Sequence, residues 1–232
     1  MIGTPRVHHR LTDSTNQRAK ELAGAGAPHG TIVSADEQAA GRGRQGRAWM
    51  APPRSAVLMS LVVRDLDESA ALLPLATAVA VCEAAETVAR VSCAIKWPND
   101  VWIDGRKVCG ILVEGRPAAG WAVIGIGLNV TTTEFPEELR DIATSLRLAG
   151  GSASVEEALT ALVAALDHRL GAPPAEILTA WRSRDALAGR RIAWADGEGV
   201  AAGIDDAGSL LVDTDASRVA LGAGEVHLER LD

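Results

Sequence analysis

Several scarcities narrow the class of protein before any motif is considered. The 232-residue chain has only three cysteines, Cys82, Cys93 and Cys109, which form neither an even set nor a C-x-x-C pair. We therefore expect no disulfide framework and a reducing, cytoplasmic setting. The chain has no uninterrupted apolar run of 18 residues and no apolar signal segment at its N-terminus, so neither a membrane nor secretion is indicated. Its formal net charge of −7 argues against general nucleic-acid binding, because proteins with that function are usually basic.

Lysine is also rare, because only Lys20, Lys96 and Lys107 among the 23 basic residues are lysines. A lysine in such a sequence marks a place where a compact ammonium does what a guanidinium does not, or a surface position kept by chance. Lys20 lies in a polar helical stretch and fits a chance surface position. Lys96 and Lys107 lie in apolar, strand-like surroundings, which favours a functional role for both.

Glycine and arginine are concentrated in one segment, residues 38–49, which reads Q-A-A-G-R-G-R-Q-G-R-A-W. Glycine permits close approach of the main chain and costs the most entropy on ordering, while arginine binds phosphate or carboxylate with a planar fork. The segment therefore predicts a mobile cationic loop that closes over an anionic ligand. A solvated basic loop without function is the alternative.

Two better-known nucleotide motifs fail in this segment. Gly41, Gly43 and Gly46 match G-x-G-x-x-G, but the dinucleotide site needs a helix at the third glycine. Two prolines follow at residues 52–53 and exclude a regular helix there. The phosphate-loop motif needs Lys and then Ser or Thr after its last glycine, whereas residues 47–48 are Arg and Ala.

Hydrophobic periodicity predicts an α/β protein. We expect a mixed, mostly antiparallel sheet with helices on one side over residues 1–188. Residues 189–232 are expected to form a small SH3-like β-barrel. Because this barrel is too small for a core of its own, it should pack on the main domain. The helices are predicted at 14–23, with a capping box from Ser14 to Gln17, and at 67–90, 155–170 and 175–188. The strands are predicted at 6–11, 31–38, 55–64, 92–97, 101–103, 107–114, 121–130, 190–194, 200–204, 209–212 and 219–221.

Three further segments carry candidate site residues. K-W-P-N-D at residues 96–100 ends a strand in a proline-enforced turn, which places a cation, an amide and a carboxylate at the end of the strand. K-V-C-G-I-L-V-E at 107–114 brings a second lysine into the adjacent strand, across a primed turn at 104–105. G-I-G-L-N at 125–129 lets a ligand lie flat on the backbone, although Gly125 and Gly127 alone are as well explained by a bulge or close strand packing.

Together these segments resemble the biotin protein ligases. The resemblance rests on D-S-T-N at 13–16, the glycine-arginine loop, K-W-P-N-D-V, K-V-C-G-I-L-V-E, G-I-G-L-N-V and A-G-E-V at 223–226, in family order over nearly the whole chain. It implies ATP-dependent attachment of biotin to a lysine of a biotin carboxyl carrier domain through biotinyl-5′-adenylate. The alternatives are a lipoate or octanoate ligase or transferase of the same fold, and a non-catalytic protein that binds biotin adenylate.

The resemblance also implies roles for particular residues. Catalysis would depend on Lys107, Arg42 and Asp100, with Asp100 orienting or deprotonating the incoming lysine, unless it is only a turn former. Trp49 would cover the adenine. The residues expected at biotin are Ser14, Thr15, Asn16, Gln38, Gly41, Arg42, Lys107 and Gly110. The residues expected at ATP or the adenylate are Arg42, Arg44, Trp49, Asn99, Lys107 and Asn129. Mg²⁺ is implied by ATP rather than by any cluster of ligands in the sequence, since the five histidines show no metal-ligand spacing.

The chain departs from some members of the family in two respects. D-S-T-N begins at residue 13, so we expect a monofunctional ligase without a preceding DNA-binding domain and without DNA as a partner. Gln45 stands where an arginine is common, so loop closure is expected to be less strongly driven. An exposed sheet edge would serve either a weak or ligand-dependent homodimer or docking of the carrier domain, and the sequence does not separate these two uses.

Overall fold

A seven-stranded sheet forms the centre of the protein. The computed structural model describes residues 1–222, 224 and 226–228. The strands of this sheet are β1 (Arg6–His9), β2 (Ile32–Ala35), β3 (Ala56–Arg64), β4 (Ala94–Lys96), β5 (Asp100–Ile103), β6 (Arg106–Arg116) and β7 (Trp121–Asn129). Their order is β1-β2-β3-β7-β6-β5-β4, with β1 and β2 parallel and the other neighbours antiparallel. This confirms the expected mixed, mostly antiparallel sheet.

The hairpin between β5 and β6 forms at the predicted turn. Asp104 and Gly105 have φ angles of 50° and 74°, which is the left-handed pair that a type I′ turn requires. The turn makes β5 and β6 antiparallel neighbours, so residues from the two lysine-bearing motifs lie next to each other in the sheet.

Helices lie on both faces of the sheet. The α-helices of the described residues are α1 (Thr15–Gly24), α2 (Leu73–Ala89), α3 (Val155–Leu170) and α4 (Pro174–Arg182). The first three pack on the sheet, whereas α4 packs on α2. The expectation of helices on one side is therefore wrong. Val33, Val62 and Val123 pack with α1 in one apolar cluster, whereas their strand neighbours Leu61 and Ile124 belong to the core built with α2 and α3. Because successive strand residues face opposite sides, the central strands β3 and β7 are buried along almost their whole length.

Helix α2 is the most apolar element. Residues Ala70–Ala89 are long and apolar enough to cross a membrane by length and composition. In this fold Val79, Val81 and Cys82 on α2 are fully buried in the main core, and α2 packs against α3, α4 and the sheet. The packing accounts for its composition as a core helix.

Two local expectations were wrong. Ser14 occupies the N-cap position of α1 but makes no side-chain cap hydrogen bond, and the side chain of Gln17, the other half of the predicted box, donates to Glu21 instead. Helix α4 ends at Arg182 rather than at residue 188, since the following segment pairs with Ile95 of β4 through two backbone hydrogen bonds. That tertiary pairing supplies hydrogen bonds that another helical turn would otherwise make.

The C-terminal part is a five-stranded antiparallel sheet. Its strands are β8 (Arg191–Trp194), β9 (Gly197–Ile204), β10 (Leu210–Asp213), β11 (Arg218–Leu221) and β12 (His227–Leu228), in the order β11-β10-β9-β8-β12. Strand β12 was not predicted, because two residues carry no periodic signal. Ile192, Leu210 and Val212 join the main core, and the indole of Trp97 donates to the Gly208 carbonyl at 3.0 Å, so this sheet packs on the larger one as expected. Within the A-G-E-V motif, Ala223 and Glu225 lie outside the described residues.

The packing of α3 allows a first test. Leu162 is fully buried between α3, α2 and the sheet, so we expect Leu162→Ala to lower the free energy of unfolding by about 2–5 kcal/mol. Urea denaturation measures this change. Thr160→Ala, on the exposed side of the same helix, is the matched control and should shift stability by less than about 0.5 kcal/mol. Equal effects of the two substitutions would contradict the described packing.

Candidate active site

A cavity of about 890 Å³ lies on the face of the central sheet that also carries α1. The glycine-arginine loop, the start of α1, the K-W-P-N-D segment and strands β6 and β7 all contribute to its lining. Of the residues predicted for the site, only Gly41 is not part of the lining. The lining members of the predicted set are Ser14, Thr15, Asn16, Gln38, Arg42, Arg44, Trp49, Asn99, Asp100, Lys107, Gly110 and Asn129.

An irregularity in the sheet turns Lys107 toward this cavity. Asp100 pairs with Gly110, while Trp102 pairs with Lys107, so the register shifts and one extra residue is accommodated in β6. Lys107 and Gly110 are three residues apart and would face opposite sides of a regular strand. The bulge places both on the cavity face, next to Asp100.

Lys107 and Asp100 form an ion pair in the middle of the lining. The Lys107 Nζ to Asp100 Oδ1 distance is 2.7 Å, and the two side chains are 34% and 19% exposed. The ammonium also lies 5.8 Å from the centre of the Trp49 ring. The reading of Asp100 as only a turn former does not fit this geometry, because the residue begins β5 and its carboxylate holds the lysine. A partly exposed ammonium retains hydrogen-bonding capacity for an anionic ligand.

The polar end of the cavity is formed where α1 begins. The backbone N–H and the hydroxyl of Thr15 donate to Gln38 Oε1 at 2.7 and 3.1 Å. The Gln38 oxygen is therefore used within the protein, whereas its amide nitrogen makes no hydrogen bond within the described residues. Gln38 is one of the residues that line the cavity. Ser14 and Thr15 are both almost fully buried. These groups are suited to bind a small neutral polar ligand rather than a charged one.

Asn16 lies directly on β7 because Gly125 has no side chain. A Cβ at Gly125 would overlap Asn16 Oδ1. The Asn16 oxygen accepts from Ser60 Oγ at 2.6 Å, and its amide nitrogen donates to the Leu112 carbonyl at 3.3 Å and to Glu114 Oε2 at 2.9 Å. The carboxamide of Asn16 is therefore held from both ends by the protein.

Glu114 is anchored in turn by Lys20, whose Nζ lies 2.7 Å from Glu114 Oε1. Burial opposes ionisation of Glu114, but hydrogen bonds from Lys20 and Asn16 outweigh it and lower the pKa of the carboxyl group. The Lys20 side chain is only 23% exposed. The interpretation of Lys20 as a chance surface lysine is wrong, because its ammonium is paired with a carboxylate that β6 brings to α1. The sequence does not reveal this contact.

Two glycines make room for Trp49. A Cβ at Gly127 would overlap the indole, and one at Gly110 would meet it at 3.0 Å. The indole Nε1 is buried without a hydrogen-bond partner within the described residues. Gly41 supports the same approach, since a Cβ there would overlap the Trp49 carbonyl oxygen. The register of β6 and β7 is continuous at Gly110 and Gly127, so these glycines serve close packing rather than a bulge.

The two loop arginines are placed differently. Arg44 donates to Asn99 Oδ1 and to the Gly224 carbonyl, both at 3.0 Å, and so joins the loop to the K-W-P-N-D segment and to the C-terminal part. Arg42 is exposed at the cavity. Asn129, at the other end of the lining, is buried and donates to the Thr144 carbonyl at 3.0 Å.

An apolar wall of the cavity was not predicted from the sequence. Phe135, Leu139 and Ile142 lie in the irregular segment after β7 and line the cavity. The segment is held against Lys107, whose backbone N–H donates to the Ile142 carbonyl at 2.8 Å. Large apolar residues in a stretch with glutamates and a proline were the signal available in the sequence.

The metal and cysteine contents add no further chemistry. Among the described residues no group of three or more His, Cys, Asp or Glu side chains has the arrangement of a metal site. The three cysteines are buried and free, and burial raises the pKa of Cys109. Cys109 faces the core rather than the cavity and is not a nucleophile at this site.

Two parts of the chain match known families. Residues 8–130 match the model of the Biotin/lipoate A/B protein ligase family, and residues 189–228 match that of the Biotin protein ligase C terminal domain. The chain belongs to the biotin protein ligases of this family. The first match contains every residue predicted for the site, and the second covers the C-terminal sheet.

Individual relatives of the biotin protein ligase family agree over nearly the whole chain. The Bifunctional ligase/repressor BirA of Bacillus subtilis is 36% identical over 98% of this chain and 75% of its own length. The biotin--[acetyl-CoA-carboxylase] ligase of Mycobacterium tuberculosis is 36% identical over 94% of this chain and 86% of its own. The structure of the Aquifex aeolicus biotin protein ligase in complex with biotin and ATP superposes with a TM-score of 0.86 at 28% identity, covering 98% of this chain and 99% of that one.

The contact between Gly125 and Asn16 allows a test of the site geometry. Because a methyl group would overlap a buried, fully hydrogen-bonded amide, we expect Gly125→Ala to lower the free energy of unfolding by about 1–3 kcal/mol, as measured by urea denaturation. Gly24→Ala is the matched control, since nothing lies within 4 Å of its added Cβ. A Gly125→Ala variant as stable as the control would show that Asn16 does not lie on β7 as described.

Proposed function

We propose that this chain attaches biotin to a lysine of a biotin carboxyl carrier domain in two steps that share one cavity. In the first step, a biotin carboxylate oxygen bonds to the α-phosphorus of ATP and pyrophosphate leaves, which yields biotinyl-5′-adenylate. In the second step, the lysine amine attacks the acyl carbon, the bond to AMP breaks and the amine loses a proton. The observation that carries the proposal is the Lys107–Asp100 pair, placed between a neutral polar end and an arginine loop of one cavity.

The first step brings two anions together, so the site has to supply positive charge. Lys107 bonds the biotin carboxylate and the bridging phosphate oxygen, and Arg42 and Arg44 bind the phosphates as the loop closes. These contacts strengthen as negative charge moves to the leaving pyrophosphate. The closed loop also keeps water away from the mixed anhydride. The Arg44 contacts with Asn99 and Gly224 support a loop that closes over the cavity.

Biotin lies with its ureido ring at the polar end formed by Ser14, Thr15 and Gln38. The proposal fits the geometry, because a cyclic urea offers both N–H donors and a carbonyl acceptor in a neutral group. Asn16, Gly41 and Gly110 shape the cavity in this proposal. The amide of Asn16 is already hydrogen-bonded within the protein. Gly41 and Gly110 let Trp49 come close to the sheet.

The adenylate occupies the remainder of the cavity. Asn99 and Asn129 help to position it, and the apolar wall of Phe135, Leu139 and Ile142 suits the face of a purine. Trp49 is proposed to cover the adenine from the loop. Mg²⁺ enters bound to the phosphates of ATP as part of the substrate, which fits a cavity without a metal-ligand cluster among the described residues.

Asp100 acts in the second step. Its carboxylate holds Lys107, and it orients and deprotonates the incoming lysine once Lys107 has turned to the adenylate. The same side chain thus serves two amines in sequence. The acceptor is proposed to be the carrier domain of a biotin-dependent carboxylase, because relatives carry the name biotin--[acetyl-CoA-carboxylase] ligase.

The organisation of the whole protein follows from these roles. We assign residues 1–188 to the ligase domain and residues 189–232 to an SH3-like C-terminal domain, which the Arg44 contact with Gly224 links to the loop. The protein is proposed to be cytoplasmic, and neither DNA nor a membrane is proposed as a partner. A weak or ligand-dependent homodimer through a sheet edge is retained as a hypothesis.

The proposed function is tested with the purified protein, biotin, Mg²⁺–ATP and a biotin carboxyl carrier domain. We expect calorimetric binding of biotin and a mass gain of one biotin on the carrier. Transfer of lipoate or octanoate in place of biotin would replace the proposal with the related acyl-transfer chemistry. Biotin binding without release of pyrophosphate would identify a non-catalytic adenylate-binding protein.

Lys107 allows a direct test of the first step. Each charge-assisted hydrogen bond contributes about 1.5–3 kcal/mol, so Lys107→Met should lower the rate of pyrophosphate release by roughly ten- to several-hundred-fold. Lys107→Arg should restore little, because a guanidinium differs in shape from an ammonium at a close contact. Thermal unfolding is measured alongside the rates. An active Lys107→Met variant would rule out the proposed role.

A further inference from the structure

A row of polar side chains connects the surface of the protein to the polar end of the cavity. We call it the polar row, and its members in order are Lys20, Glu114, Asn16, Ser60, Thr15 and Gln38. Asn16, Thr15 and Gln38 line the cavity, whereas Lys20, Glu114 and Ser60 lie behind it. No role in the proposed reaction has so far been assigned to the three residues behind the lining.

Counting hydrogens fixes the direction of most bonds in the polar row. An ionised carboxylate only accepts hydrogen bonds, so Glu114 receives one from Lys20 and one from Asn16. Asn16 therefore points its amide nitrogen toward Glu114 and its oxygen toward Ser60. Because that oxygen has no hydrogen, the Ser60 hydroxyl must donate to it across 2.6 Å.

The same counting determines what Thr15 offers to a ligand. With its hydrogen committed to Asn16, Ser60 can only accept, and Ser60 Oγ lies 2.8 Å from Thr15 Oγ1. The single hydroxyl hydrogen of Thr15 has two acceptors within reach, Ser60 Oγ and Gln38 Oε1. Either choice directs this hydrogen into the protein, so Thr15 presents only lone pairs to the cavity.

Gln38 has the opposite polarity. Its oxygen accepts from the Thr15 backbone N–H at 2.7 Å, which leaves the amide nitrogen as the part that can serve a ligand. The polar end thus offers an acceptor at Thr15 beside a donor at Gln38. A cyclic urea, with an N–H next to a carbonyl, complements this pattern.

We propose that Glu114, paired with Lys20, is a positioning residue that sets the donor and acceptor pattern of the ureido subsite through Asn16 and Ser60. The inference rests on the proposed function, since it takes biotin as the ligand. Glu114 contacts no reacting atom. Its contribution is to supply two acceptor positions between two donors, the ammonium of Lys20 and the amide of Asn16.

Substitution of Glu114 separates this role from a general effect on stability. Methionine has a similar length but no strong acceptor, so Glu114→Met removes the nearer of the two acceptors of the Asn16 amide nitrogen and leaves only the Leu112 carbonyl at 3.3 Å. Glutamine supplies one oxygen, for which Lys20 and Asn16 then compete. Removal of Lys20 ends the competition, so Lys20→Met should improve the Glu114→Gln protein rather than impair it further.

The experiment measures biotin affinity by calorimetry, and KM for biotin, KM for ATP and kcat by pyrophosphate release. We expect Glu114→Met to raise the biotin Kd and KM by roughly 5- to 100-fold, the effect of leaving one buried donor unsatisfied, with kcat and KM for ATP within about twofold of the unmodified protein. Glu114→Gln should be intermediate. Lys20→Met alone and Lys20→Met/Glu114→Gln should both lie within about threefold of the unmodified protein.

Controls keep the outcomes distinct. Glu83→Gln alters another partly buried carboxylate, paired with Arg169 away from the cavity, and should leave biotin KM unchanged. A double variant no better than Glu114→Gln, or a folded Glu114→Met protein with normal biotin affinity, would overturn the inference. If Glu114→Met does not fold, the comparison of Glu114→Gln with the double variant decides alone. Absence of biotin binding by the unmodified protein would instead overturn the proposed function itself.

Discussion

The alternation of side chains along β7 is the constraint on which the site depends. Ile124, Ile126 and Leu128 face the core, while Gly125 and Gly127 face α1 and the cavity. The apolar residues hold the strand in the middle of a sheet that is covered on both faces. The glycines leave the opposite face of the same strand open. A rigid floor without side chains results, because the strand is fixed by what lies behind it.

That floor brings together parts of the chain that are far apart in sequence. Asn16 from the start of α1 lies on Gly125, and Trp49 from the loop lies on Gly127 and Gly110. Both side chains would be displaced by a single methyl group. The polar end of the cavity and the position of the loop tryptophan therefore depend on the same two strands.

The charges of the site are arranged by the sheet as well. The bulge in β6 turns Lys107 to the cavity face beside Asp100, and the pairing of the two side chains holds a cation where the proposed reaction brings two anions together. Lys20 and Glu114 use the same chemistry in a different way. Their pairing keeps a carboxylate ionised at the end of the polar row, where its function is to fix the direction of hydrogen bonds rather than to attract a ligand.

The sequence by itself determined the class of fold, the positions of nearly all strands and helices, and the segments that form the site, because periodicity, turn residues and motif chemistry are local properties. Tertiary structure decided the rest. The helices cover both faces because β3 and β7 are apolar on both sides, and α4 stops at Arg182 because the following residues pair with β4. Lys107 faces the cavity only through a bulge that spacing does not reveal. The partner of Lys20 lies 94 residues away, and such a contact arises from packing, which no local pattern encodes.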